Sequence, residues 1–421
     1  MSAGDGVLIV GGGQAASQLA VSLRERGYDQ PIRIVGEERN GPYQRPPLSK
    51  AFLAGKADAE TLEFRSVDFY AREHIEVVTG ERIVDVELGD DGGAVRSASG
   101  SSFSFDQLVL AVGAEPRRLE VPGHDLDGVV YLRDVDDAED LKARMGTCRD
   151  VVVVGGGFIG LEAAAVARTR GHRVTVLEAG SRLLARAVAP EMSEFYRAAH
   201  ERRGTRVVLG ASVERFVGDE RVRHVELSDG ELVDADLVIV GIGVVPRTAI
   251  AEQIGLMCDG GILVDAYGRT SNPRVLAAGD CTVSVHPRGN GSAIRLESVQ
   301  HAVDQAKCVA ATLVDQLEPY ESVPWFWSDQ DTLKLQIAGL STGYDQVVVR
   351  GSVQDEKFAL FYYRDGVLIA ADAVNSPRDF MAVRRALGEG RSIPAAVAAD
   401  PDQSLRAATT SPADLTTGAS A

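Results

Sequence analysis

The chain has 421 residues, 45% of them hydrophobic and 25% charged, and a net charge of −17. That length exceeds what one core organises and implies two or three domains, in a composition ordinary for globular proteins. The acidic balance argues against nucleic acid as a partner, and glycines or charges interrupt every apolar run short of a membrane span.

The first segment, "MSAGDG", places no basic residues ahead of an apolar run that reads directly as a strand. A signal peptide is not expected, and the expected location is cytoplasmic. In "VLIVGGGQAA" a buried strand, Val7 to Val10, runs into a turn where Gly11, Gly13 and Ala16 fill the pattern G-x-G-x-x-G/A. A helix should follow from Gln14 to Arg26 and stop at Gly27, after which "IRIVGEE" places Glu37 at the end of a second strand. The same order returns in "VVVVGGGFIG": strand Val151 to Val154, then Gly155, Gly157 and Gly160, a helix to Thr169, Gly171, and "RVTVLE" ending on Glu178. Such glycines permit a tight turn, close approach of backbone to a pyrophosphate, and contact between helix and strand. The helix start then aims N–H groups at the phosphates. An acid about 20 residues on accepts hydrogen bonds from ribose hydroxyls. A lone pattern of this kind is weak; strand, turn, helix, strand and acid recurring together are not. Two dinucleotide sites are expected.

Later segments close these units. "SFDQLVLAVGAEPR", Ser104 to Arg117, is a strand ending in a turn, and "GELVDADLVIVGIGVVPR", Gly230 to Arg247, repeats the form. Val112 and Gly241 break what would be long apolar strands, as expected where backbone approaches a ligand. Ala111 and Gly113 in the first turn, Gly241 in the second, and Phe158 and Ile159 within the second Gly-rich turn join the expected cofactor-lining set. "TSNPRVLAAGDCT" reads as a strand that passes Gly279 and ends at Asp280 before a helix. Asp280 there is either a helix N-cap or a ligand group. The expected division is 1–114 with 247–320, a nested domain 115–246, and a smaller third domain 321–392. In that third domain "TLKLQIAGL", "QVVVRGS", "KFALFYYR" and "GVLIAADAV" alternate like half-buried antiparallel strands ahead of a helix, Pro377 to Leu387. Residues 393–421, rich in Ala, Thr, Ser, Pro and Asp, read as a disordered tail. The fold class is therefore α/β: two Rossmann-like dinucleotide-binding domains and a smaller α+β C-terminal domain.

Cys148, Cys258, Cys281 and Cys308 are too scattered for a disulfide framework and match no zinc or iron–sulfur spacing, so no metal is expected. Cys281 reads as a small buried hydrophobe. His301 lies in a helical pattern and reads as packing or a partner contact.

The series "GGGQAA", "PYQRPPLSK", "AVGAEPR", "GGGFIGLE", "AAGDC", "ESVQHAVDQAK" and "PWFWSDQ" resembles the two-dinucleotide-domain flavoprotein reductases, and within them the NADH-dependent ferredoxin reductases of bacterial oxygenase systems. The similarity spans residues 5 to 390. One departure is Val112, where the family often has Thr. The resemblance implies FAD in the first site and NAD(H) in the second. It brings Gly13 and Ala15 to the FAD pyrophosphate, Glu37 to the adenosine ribose, and Arg45 and Lys50 to the pyrophosphate and the flavin edge. It also puts the Ile83 backbone at the adenine, Arg133 near the nucleotide, Asp280 at the ribityl chain, and Val299 and Trp327 beside the flavin pyrimidine. Glu162 would reach toward the nicotinamide and pair with Lys50, these two being the expected catalytic residues.

The residues themselves bear on two of these assignments. Lys50 follows Pro46-Pro47 in a rigid, non-helical stretch, although most lysines are simply solvated. Glu162 opens a helix among apolar neighbours, so its carboxylate must be paired or lie at the helix mouth. Some relatives pass electrons to an active-site disulfide; this chain has neither C-x-x-C nor C-x₄-C, so electrons are expected to leave from the flavin itself, which favours an external iron–sulfur acceptor, and the resemblance implies a small, acidic ferredoxin. That ferredoxin would feed an oxygenase, read as a haem monooxygenase. Arg295, Lys307 and Lys334 are the expected basic patch for it. Two other readings stand beside this one. One is an NADH oxidase or monodehydroascorbate-type reductase, and the other a redox-responsive flavoprotein of the apoptosis-inducing-factor type.

Overall fold

In the computed structural model, which describes residues 4–289 and 291–412, strand Val7–Val10 is the middle of a parallel sheet. The order is Val275–Ala277, Gln107–Leu110, Val7–Val10, Ile32–Val35 and Ile75–Val78. Every pairing in it is parallel. The four residues of Val7–Val10 are all buried because a central parallel strand is covered on both faces. Helix Gln14–Glu25 packs its Ala16, Leu19, Ala20 and Leu23 against one face, and helix Val299–Leu313 adds Ala306, Val309 and Ala310. The other face buries Leu8, Val10, Leu108 and Leu110 with Val86, Val95 and Phe105 of a small antiparallel sheet.

The chain forms two units. The first comprises 1–44, 60–115 and 245–324, and the second 45–59, 116–244 and 325–421. In the second unit the same arrangement recurs about Asp150–Val154. Its sheet runs Arg206–Leu209, Arg173–Glu178, Asp150–Val154, Leu237–Val240 and Val129–Val130, again all parallel. The second unit also holds an antiparallel sheet ordered Trp325–Gln330, Leu333–Gly339, Val367–Val374, Lys357–Arg364 and Gln346–Ser352. No helix among the described residues is long and apolar enough to cross a membrane.

The structure departs from the sequence-based expectations at four places. Asp280 does not precede a helix: Thr282–Val285 is a strand, paired in parallel with Ile262–Leu263, so the N-cap alternative for Asp280 falls. β-Branched Thr282, Val283 and Val285 suit that pairing. The stretch before Lys50 is not free of helix but a short 3-10 turn, Pro46–Ser49, opened by proline at its first positions. Lys357–Arg364 is not half-buried but covered on both faces. Phe358 meets Phe195 at 4.8 Å, and helix Ala395–Ala399 packs beside this strand and its neighbour Gln346–Ser352.

The fourth departure is the tail. Residues 393–412 are ordered; 413–421 lie outside the described residues. Composition suggested too little apolar surface to pin the segment, but Arg350 does so instead. Its guanidinium, 7% exposed, donates to Val397 O (3.3 Å), Pro401 O (3.1 Å), Gln403 O (2.9 Å) and Asp400 O, and its Nε meets Asp379 at 3.3 Å. Ser392 and Thr410 exchange backbone hydrogen bonds of 2.9 and 2.8 Å. Arg350→Ala is expected to cost about 2 kcal/mol, since those carbonyls and Asp379 lose a charged donor. Limited proteolysis should then cut between 395 and 410, where wild type resists.

Candidate functional site

The two Gly-rich turns are built alike. Gly11 (φ +121°) and Gly155 (φ +109°) sit where only glycine fits without strain. A Cβ on Gly11 would lie 2.2 Å from Ala111 O, and one on Gly155 would lie 2.4 Å from Gly241 O. Each turn is thus pressed against the backbone that leaves the neighbouring strand, Gln107–Leu110 or Leu237–Val240. Gly160 completes the second turn, because a Cβ there would lie 2.4 Å from Gly155 O.

Both turns open a helix without a side-chain cap. Gly13 and Gly157 are the N-caps, and neither first turn carries an acid. Elsewhere Ser66, Asp134 and Ser298 cap their helices with side-chain oxygens. Nothing lies within 4 Å of a Cβ on Gly13. Orphan N–H groups with no acid in the first helical turn fit a pyrophosphate at each helix start, so the residues present fit two dinucleotides. Ala15 faces Gly279 in the first unit, a Cβ on Gly279 falling 3.2 Å from that of Ala15. Gly279 N donates to Gln305 Oε1 at 2.7 Å, which Thr282 Oγ1 also reaches at 2.9 Å.

The acids lie where the spacing put them, each engaged. Glu37, exposed just past strand Ile32–Val35, is ion-paired with Arg247. Glu178 ends strand Arg173–Glu178 beside the second turn and accepts from Gly156 N (2.7 Å) and Gly180 N (2.6 Å). Arg182 does not pair with Glu178. Its guanidinium donates to Val188 O (2.7 Å), Ser193 Oγ (2.8 Å) and Ala185 O (2.7 Å).

Helix Phe158–Thr169 carries Glu162 in its second turn, later than the helix opening expected. The side chain is 2% exposed and fully partnered. Oε2 accepts from Lys50 Nζ at 2.6 Å and Ser49 Oγ at 2.5 Å, and Oε1 from Ser328 Oγ at 2.6 Å. Lys50, 16% exposed, also donates to Pro46 O at 3.2 Å. The lysine is therefore not a solvated one. Phe158, one turn before Glu162, stacks on Phe326 with centroids 4.6 Å apart, while Ile159 is 40% exposed.

Of the remaining expected residues, Arg45 and Arg133 come together, Arg45 Nη1 donating to Arg133 O at 3.0 Å. Ile83 begins strand Ile83–Leu88, Gly113 (φ +66°) accepts from Arg247 N at 3.0 Å, and Val299 begins its helix. Asp280 is half-buried, and Trp327 lies 5.6 Å from Trp325. Arg45, Lys50, Arg133 and Trp327 belong to the second unit, the others of the FAD set to the first. Arg295 is neutralised by Glu297 at 2.6 Å, while Lys307 and Lys334 are exposed. Cys281 is fully buried and its thiol is pushed up to about 12 by that burial. His301 packs against Tyr320 and is pushed down to about 4 by desolvation. Sequence reasoning missed Ser49, Ser328, Gln305 and Arg247. The signal available for the two serines was adjacency, "SK" in the Pro turn and "WS" in the aromatic strand.

The family model described as pyridine nucleotide-disulphide oxidoreductase matches residues 5–306, and the one described as reductase C-terminal matches residues 325–409. The chain is 43% identical over 403 residues to rhodocoxin reductase of Rhodococcus erythropolis, covering 96% of this chain and 94% of the relative. Among solved structures it is similar to the ferredoxin reductase for the CYP199A2 system from Rhodopseudomonas palustris, with a TM-score of 0.93 at 43% identity over 96% of this chain and 100% of that one. It is similar too to the covalent putidaredoxin reductase–putidaredoxin complex, with a TM-score of 0.92 at 36% identity over 96% and 98%.

Proposed function

The chain belongs to the pyridine nucleotide-disulphide oxidoreductase family and ends in a reductase C-terminal domain, and we propose that it carries electrons from NADH to a small iron–sulfur ferredoxin. It is an oxidoreductase of FAD and NAD(H). The observation that carries this reading is the duplicated turn, Gly11 against Ala111 and Gly155 against Gly241, each opening an uncapped helix. The solved complex of a relative with putidaredoxin supports a ferredoxin as acceptor. The relatives' systems support an oxygenase, read as a haem monooxygenase, as the final consumer.

When bound, FAD and the nicotinamide supply the hydride and single-electron chemistry; the protein positions them and sets the local field. We assign 1–114 with 247–320 to FAD, 115–246 to NAD(H), and 321–392 with the ordered 393–412 to the third domain. Gly11, Gly13, Ala15, Glu37, Ala111, Gly113, Gly279, Asp280 and Val299 would serve FAD, as would the Ile83 backbone. Arg45, Lys50, Arg133 and Trp327 are assigned to FAD as well. Gly155, Gly157, Phe158, Ile159, Gly160, Glu178 and Gly241 would serve NAD(H). Lys50 and Glu162 would form a charged pair at the reacting end. We place the protein in the cytoplasm, and the chain's lack of C-x-x-C and C-x₄-C spacing supports electron exit without a disulfide relay.

Stopped-flow mixing tests the reading. NADH should reduce the flavin without thiols appearing, and the reduced enzyme should reduce a small acidic ferredoxin faster than it reduces oxygen. Fast NADH consumption with oxygen alone would overturn it. Lys307→Glu should slow only the ferredoxin step, with a weaker salt dependence than wild type.

NADH should be preferred over NADPH. Glu178 would meet a 2′-phosphate as a like charge, and Arg182, tied to Ala185, Val188 and Ser193, is not free to neutralise it. Glu178→Ala is expected to shrink the NADH:NADPH ratio of kcat/KM about tenfold, the worth of one repulsive contact. An unchanged ratio would place the acid elsewhere.

A further inference from the structure

Helix Phe158–Thr169 and strand Trp325–Gln330 meet in a matched register. Phe158 and Glu162, one helical turn apart, face Phe326 and Ser328, two residues apart along the strand. The next residue on that strand face, Gln330, is 1% exposed and continues the contact. Its Nε2 donates to Ser328 Oγ at 3.2 Å, and its Oε1 lies 2.8 Å from His200 Nε2.

The polarity of this chain is settled by chemistry. Glu162 can only accept, so Ser328 gives it the hydroxyl hydrogen. Ser328 Oγ is then the acceptor for the Gln330 amide, and the Gln330 oxygen faces His200. His200 must therefore carry its hydrogen on Nε2. It is 3% exposed, with burial pushing its pKa down, which leaves a neutral ring with that tautomer. Every donor points one way, ending on Glu162. The far end borders a cavity of about 220 Å³ lined by His200, Arg168, Arg203 and Thr205.

We propose that Ser328 is a positioning residue for the Lys50–Glu162 pair, braced from behind by Gln330 and His200. A carboxylate on the second turn of a helix can swing between rotamers. Lys50 and Ser49 hold Oε2, and among the described residues Ser328 alone holds Oε1. With Oε1 tethered, the carboxylate is presented to Lys50 in one orientation. The third domain thereby contributes to the site through a side chain that points away from Trp327, on the opposite face of the same strand. The proposal rests on the assignment of Lys50 and Glu162 to the reacting end.

Chemical protection of Lys50 tests it apart from that assignment. The holoenzyme is treated with an amine-acylating reagent, and the rate of modification at Lys50 is followed by mass spectrometry. Ser328→Ala should raise that rate about fivefold, the ratio set by one hydrogen bond of ordinary net worth. Gln330→Met, which keeps the hydroxyl and removes its brace, should raise it about twofold on the same scale. In a Glu162→Gln background, where the pair is already broken, Ser328→Ala should add nothing. NADH-to-flavin reduction should fall in kcat with KM little changed in the single variants. Unchanged Lys50 protection in both single variants, or equal added effects with and without Glu162, would overturn the proposal whatever the melting temperature does. Altered protection with normal flavin reduction would retain the positioning role and reject the assignment of the pair to the reacting end.

Discussion

Glu162→Ala should destabilise the protein by about 3–5 kcal/mol and all but abolish NADH-driven flavin reduction, because it strands a buried ammonium. Lys50 is 16% exposed and, without Glu162, keeps among the described residues only Pro46 O at 3.2 Å. Ser49 and Ser328 lose their acceptor in the same step. Glu162→Gln separates charge from shape. The amide oxygen still accepts from a serine, so the cost should drop to about 1.5–3 kcal/mol, the range for a hydrogen bond to a charged group. Lys50→Met is expected to fall between them, since Glu162 keeps both hydroxyl donors. Thermal unfolding and single-turnover flavin reduction of the three variants check the order Glu162→Ala, Lys50→Met, Glu162→Gln. Equal losses in all three would show that breaking the charge pair is the whole cost and that the serine hydrogen bonds and side-chain volume add nothing.

Asp372→Asn should stabilise the protein above pH 7 by up to about 4 kcal/mol, the worth of moving a carboxyl by about three pH units. Asp372 lies inside strand Val367–Val374 with 1% exposure. Oδ2 accepts from Tyr362 Oη at 2.5 Å, while Oδ1 has no hydrogen-bond partner among the described residues. Burial pushes its pKa up to about 7 from the ordinary 3.8. Below the ordinary value both folded and unfolded chains hold the proton, and the group costs nothing. Between about 4 and 7 the unfolded chain releases its proton first, so stability falls as pH rises. Above 7 both states are ionised and the penalty is constant. Wild type and Asp372→Asn should thus differ most at pH 8 and converge toward pH 4.5 in thermal denaturation. A difference that does not change with pH would mean that Asp372 keeps its charge throughout.

The third domain also shows why local pattern was insufficient there. Alternation in "KFALFYYR" predicted one solvated face, but Phe195 and helix Ala395–Ala399 cover what the pattern left open. Both come from segments remote in the chain. The tail was misjudged for the same reason: Ala398 and Leu405 are buried, and Arg350 binds carbonyls that composition cannot register.

What the sequence determined by itself was the pair of dinucleotide units. Each is encoded within about 30 contiguous residues, since turn, helix start and acid are linked by backbone geometry at fixed spacing. Gly11, Gly13, Gly155, Gly157, Glu37 and Glu178 could be numbered from that alone. The same locality made Gly27 and Gly171 legible as helix ends, both at positive φ. Only the tertiary structure decided the partners: Arg247 for Glu37, Ser49 and Ser328 with Lys50 for Glu162, and the tying of Arg182 away from Glu178. Lys50 to Glu162 spans 112 residues and Ser328 to Glu162 spans 166. No periodicity links residues so far apart; their meeting depends on how a proline turn, a helix and a strand pack, and burial then makes each unmet hydrogen bond too costly to leave open.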